Sequence, residues 1–168
     1  MFKKLVVLVF CALPMFAMAQ ENRLAHVNSE EIVMAMPELA HIQQVLDELQ
    51  REWEDIILGL REEYFSKFRE FQERAETMPA SIRELRQSEL IDLEQRIHTT
   101  HQRAEHSLQQ TQAELFMPVV QRVRDAITAV GTEQGFIYIF DMATQAIVFQ
   151  SPSAIDATPL VKARLGIR

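Results

Sequence analysis

The sequence predicts an α+β chain, mostly α, in which a long helical hairpin projects from a small β-rich body. Three observations predict it. Two long stretches carry helical apolar periodicity on either side of Thr77-Met78-Pro79-Ala80-Ser81. Pro79 within that junction cannot continue a helix interior. The strand-forming residues are confined to the two ends of the chain. The body is assigned to residues 20–36 and 131–168, the hairpin to 37–130, and residues 1–19 to a signal peptide.

In that signal peptide, Lys3 and Lys4 form a basic start, Leu5 to Leu13 a short apolar core, and Ala17-Met18-Ala19 a small-x-small cleavage site. Cleavage after Ala19 leaves Gln20 first and implies export. The apolar core is too short for a permanent membrane span. Phe10 before Cys11 is too bulky for lipoprotein processing, and once the signal is removed no cysteine remains to form a disulfide.

Leu24-Ala25-His26-Val27 reads as a strand. Asn28 and Ser29 are N-cap candidates for a short helix to about Ala35, with Glu30 and Glu31 suited to its first turn. Met36-Pro37 breaks that helix, and Pro37 sits near the N1 position of the first arm. Leu39, Ile42, Leu46, Leu49, Trp53, Ile56 and Leu60 then step by three and four, a heptad seam for a partner helix. From Leu60 the stripe runs through Tyr64, Phe68 and Phe71 with a stutter, and Gly59 just before it reads as a neutral surface position, with a soft point in the arm as the alternative.

Ser81-x-x-Glu84 fits a capping box at the start of the second arm. Its stripe from Leu93 through Ile97, His101, Ala104, Leu108, Gln112, Leu115, Val119, Val123 and Ala126 to Val130 steps by four, four and three, an eleven-residue repeat that keeps a nearly straight face. Pro118 inside this arm removes one backbone hydrogen bond and predicts a kink. Gly135 ends it. Phe136 to Phe140 and Ala146 to Phe149 read as two strands of a β-hairpin around a turn at Asp141 to Gln145. Thr158 as N-cap and Pro159 at N1 open a last helix that Gly166 closes. Each arm of about 40 residues projects about 60 Å at 1.5 Å per residue.

The formal charge of −7 falls by two to −9 with the loss of Lys3 and Lys4. An acidic chain is a poor general binder of nucleic acid or anionic membrane. His98, His101 and His106 with Glu94 and Glu105 do not make the converging ligand set that zinc needs, so the residues imply no metal. Asp141 has no matched base, nucleophile or phosphate loop, so no catalytic residue and no cofactor are expected. Most of the aromatic stripe at Tyr64, Phe68 and Phe71 belongs between the arms, as does Trp53; Phe65 lies off the stripe and faces outward. The residues alone leave a structural coiled-coil scaffold of the cell envelope as the alternative function.

Ala25-His26-Val27-Asn28-Ser29, Met36-Pro37-Glu38-Leu39, Gly135-Phe136-Ile137-Tyr138-Ile139-Phe140-Asp141, and the tail from Ser151-Pro152-Ser153 to Leu165-Gly166-Ile167 resemble the Skp/OmpH family of periplasmic chaperones. The resemblance covers essentially the whole chain after the signal. It implies a homotrimer whose strands close into a small barrel, with three hairpins surrounding a cavity in the periplasm. It implies an ATP-independent holdase that binds unfolded outer-membrane proteins and prevents their aggregation. Client contacts then fall to Tyr64, Phe65, Phe68, Phe71, Met78, His101 and Gln112, the last two interrupting an otherwise apolar stripe. The best-known members are basic. This chain is acidic, which argues against lipopolysaccharide binding. Closing strands around a trimer also removes exposed sheet edges, which the residues alone favour.

Overall fold

The computed structural model describes residues 23–144 and 146–167. The expected signal peptide, with Cys11 and the expected cleavage after Ala19, lies outside the described residues. In chain order come β1 (Leu24–Val27), α1 (Ser29–Met34), α2 (Glu38–Arg74), α3 (Ala80–Gln134), β2 (Tyr138–Asp141), a 3₁₀ turn (Met142–Thr144), β3 (Ile155–Asp156) and α4 (Thr158–Leu165). The two long helices run against each other, and the short elements gather at their root. At 1.5 Å per residue α2 extends about 55 Å, and α3 about 80 Å, beyond which its extra length reaches into the body.

The body is a three-stranded sheet with β1 in the centre and parallel to both neighbours. Leu24 lies opposite Tyr138 and Val27 opposite Asp141; Ala25 lies opposite Ile155. This corrects the expected β-hairpin. Ala146 to Phe149 form no strand, and Val148 and Phe149 stand out from the surface. The strand at 136–140 also slides forward, to Tyr138–Asp141. The cause lies at Asp141, whose carboxylate accepts from Ala143 N–H at 3.1 Å and whose carbonyl accepts from the Thr144 hydroxyl at 2.8 Å. The chain is thereby wound into the 3₁₀ turn, and the third strand comes instead from Ile155–Asp156, which pairs with β1.

Ala25 and Val27 point inward from β1 and join Ile32, Met36, Ile42, Val119, Val123, Ala126, Val130 and Val161 in one core under the sheet. Val130, Ala126, Val123 and Val119 are the last turns of the α3 stripe, so the arm is rooted by the same periodicity that pairs it with α2. Asn28 caps α1 as expected, its side-chain oxygen accepting from Glu31 N–H at 3.1 Å. The termini are tied together by Ala157 N–H to His26 O at 2.8 Å and by Asn28 N–H to the Thr158 hydroxyl at 3.1 Å. Thr158 therefore does not cap α4; it is the buried first residue of that helix, and the Asp156 carboxylate accepts its N–H at 2.8 Å instead.

Along the hairpin the seam departs from a strict heptad. Ile56 is exposed and Ile57 buried, so the stripe on α2 runs Leu49, Trp53, Ile57, Leu60, Tyr64, Phe68, Phe71. Those steps are four, four and three, twice over. The outer part of α2 thus carries the same eleven-residue repeat as α3, and the two faces stay in step. The phase change comes at Leu49, earlier than the expected stutter at Leu60. Ser81 does not form a capping box: α3 starts at Ala80, behind Pro79, and Ser81 lies exposed within the first turn. α3 runs unbroken through Pro118 as one helix.

Gly135 closes α3 at φ 67°, a left-handed conformation, with Phe136 N–H bonded back to Gly131 O at 3.0 Å. A methyl group at Gly135 would touch nothing within 4 Å. The cost of Gly135→Ala is therefore conformational alone, and the variant is expected to lose about 1 kcal/mol of stability in urea unfolding. An unchanged midpoint would show that the αL cap carries no weight.

Candidate functional site

The outer half of the hairpin gathers the aromatic residues. Tyr64 stacks on Phe68 with ring centroids 5.9 Å apart, and meets Phe65 edge-on at 5.6 Å. Tyr64, Phe68 and Phe71 are half-buried in the seam, whereas Phe65 is 58% exposed, the outward position expected of it. Trp53 is half-buried in the same seam, and its indole N–H is enclosed without a hydrogen-bond partner among the described residues. Met78, half-buried, lies at the tip, where its N–H bonds to Arg74 O at 3.1 Å.

Two polar links cross the seam near the aromatic group. The Tyr64 hydroxyl donates to Glu94 Oε1 at 2.7 Å. That bond, with some burial and the adjacent charge of Glu94, pushes the Tyr64 hydroxyl above its ordinary pKa. Arg61 Nη2 donates to His101 Nε2 at 3.0 Å, which requires a neutral ring with its proton on Nδ1. His101 is thus occupied by the opposite arm. Gln112 lies on the stripe by its spacing but is exposed, so it breaks the apolar face.

The expected residues therefore separate into three groups. Tyr64, Phe65, Phe68 and His101 come together at mid-arm; Phe71 and Met78 lie towards the tip, and Gln112 towards the root. Ile97 of the α3 stripe and Glu94 join the first group, as do Arg61 and Leu58, which the spacing did not single out. Arg61 and His101 sit 40 residues apart on opposite helices, so no spacing within one arm marks the pair. Among the described residues no three His, Cys, Asp or Glu side chains converge as a metal site, and no helix is long and apolar enough to cross a membrane.

A second apolar surface lies on the body. A parallel sheet ordinarily has both faces covered. Here one face packs on α3, while Leu24, Tyr138 and Phe140 stand exposed on the other. Tyr138 and Phe140 stack at 6.0 Å, and Ile147 and Phe149 flank a depression beside them.

A family model described as outer membrane protein (OmpH-like) matches residues 23–165, from the start of the sheet to the end of α4. No curated protein matches the chain.

Proposed function

The chain belongs to the OmpH-like family of outer membrane proteins, and from that membership we propose that it is a periplasmic, ATP-independent holdase for unfolded outer-membrane proteins. The observation that carries the reading is the hairpin itself. It is a two-helix arm with apolar side chains left outside its own seam: Leu58, Phe65, Leu85 and Ile91 are all more than half exposed. Singly, exposed apolar residues mean little. Repeated along an arm that has no second layer, they offer many weak contacts to a chain with no fixed shape. Tyr64, Phe65, Phe68, Phe71, Met78, His101 and Gln112 lie along that path.

The proposed active form is a homotrimer in which the sheets close as a barrel. Support comes from the uncovered face carrying Leu24, Tyr138 and Phe140, and from the outer edges of a sheet only three strands wide. No step needs a cofactor, and the reading is of a non-enzyme.

Light scattering tests it directly. An unfolded outer-membrane β-barrel protein is diluted from urea with and without the chain from Gln20 onward, in the absence of ATP. Suppression of aggregation near three chains per client is expected, together with a trimer mass in solution. Absence of suppression at excess chain leaves the envelope scaffold as the better function.

A further inference from the structure

Two adjoining depressions lie along one side of the arm at mid-length, and they differ in character. They share Arg61 and His101. Towards the body, Glu54 and Asp55 rim the first beside Leu58. Towards the tip, Phe65 and Ile97 wall the second. We propose that this continuous groove seats an extended, unfolded segment bearing a cationic side chain and an apolar one, the cation against Glu54 and Asp55 and the apolar group against Phe65 and Ile97. The inference rests on the holdase reading and adds to it the charge class of the bound segment.

Charge complementarity selects the occupant. Leu58 is 54% exposed, and its helical neighbours at i−4, i−3 and i+4 are Glu54, Asp55 and Glu62. Arg61 at i+3 is the one cation in that ring, and it is engaged with His101. Across the longer stretch from Asp47 to Glu63, α2 carries seven carboxylates against two arginines. A neutral apolar segment laid over Leu58 covers those carboxylates without offsetting their lost hydration, and an anionic segment is repelled. A lysine or arginine stem packs on Leu58 while its head stays beside the carboxylates. The geometry also sets a spacing. Ten helical residues separate Asp55 from Phe65, about 15 Å of rise, which an extended chain spans in about five residues.

The test uses two labelled unfolded peptides of equal length and apolar content, one with lysine and one with glutamate five residues from a phenylalanine. Binding to the whole chain is read by fluorescence anisotropy at low and high salt. The lysine peptide is expected to bind more tightly at low salt, with the preference shrinking as salt rises. Glu54→Gln combined with Asp55→Asn should weaken the lysine peptide by roughly three- to tenfold and leave the glutamate peptide no weaker, since two exposed ion pairs are lost. Phe65→Ser should weaken both peptides alike. Circular dichroism checks that each variant keeps its helices. Equal binding of the two peptides, or a lysine preference that survives the double amide variant, overturns the charge assignment while leaving the holdase reading standing. If neither peptide binds and aggregation of the β-barrel client is not suppressed, both fall together.

Discussion

Ile32→Ala is expected to lower the unfolding free energy by about 2–5 kcal/mol. Ile32 is fully buried, and α1, which carries it, packs on both α3 and α4. Truncation removes three carbons from the centre of a core whose other members are mostly valines and alanines. Small neighbours on three rigid elements cannot collapse into the space, so the cavity persists. The hairpin seam is untouched, so the loss belongs to the body. Urea unfolding at one fixed protein concentration measures it, because any self-association shifts the midpoint. A loss under about 1 kcal/mol would mean that the site collapses around the gap.

Asp141→Ala is expected to cost about 1–3 kcal/mol and to flatten the acid limb of the stability curve. The carboxylate accepts from Ser29 N–H at 3.1 Å, from the Ser29 hydroxyl, and from Ala143 N–H at 3.1 Å. It joins the end of β2 to the start of α1 across 112 residues of chain. Partial burial pushes the carboxyl up, but the bonds from Ser29 and Ala143 together outweigh it and hold Asp141 below the ordinary carboxylate range. Asp156 behaves likewise: burial raises it, and hydrogen bonds from Thr158, with His26 and Lys162 nearby, bring it lower. Both groups bind protons less readily folded than unfolded. Their contribution is therefore complete above the ordinary value near 4 and is lost as pH falls through the lower folded values. Wild-type midpoints should drop on acidification below about pH 4, and the Asp141→Ala variant should drop less. Parallel acid limbs would remove Asp141 from this role.

The hairpin was legible because its information is local. A repeat of four, four and three names the buried face of α3 from Leu93 to Val130 without reference to anything else, and the structure departs from it clearly only at Gln112. On α2 the heptad expected from spacing failed at Ile56 and Ile57. Both residues satisfy the apolar requirement, and the choice between them is made by the phase of the opposite helix. The body was hard to read for a related reason. Ile147, Val148 and Phe149 have every strand preference, yet β3 forms at Ile155 and Asp156, where no run of strand formers exists. What selects β3 is its register beside Ala25 and His26, some 130 residues earlier, and the cap that Asp156 gives to α4. Ser81 and Thr158 show the same limit. Each has the right side chain for a cap but lies inside the helix that forms, Thr158 as its first residue and Ser81 as its second. The mid-arm cluster was half visible: its aromatic members follow from spacing, and its cross-arm partners Arg61 and Glu94 do not.

The placement of β1 between β2 and β3 also fixes an order of events. Its partners lie more than a hundred residues downstream, so when the chain emerges amino-terminus first, β1 has nothing to pair with until almost the whole polypeptide is out. The hairpin faces no such delay, because its arms meet across a short turn and can zip from the tip towards the root. Contacts of low sequence separation form early, and those that close long loops form late. Zipping brings Gly135 back beside Leu24 and converts a closure of more than a hundred residues into a short one. The arm that projects from the finished body is thus also the device that assembles it, and a chain cut before Ile155 would complete α1, α2 and α3 while lacking α4 and leaving one edge of β1 open.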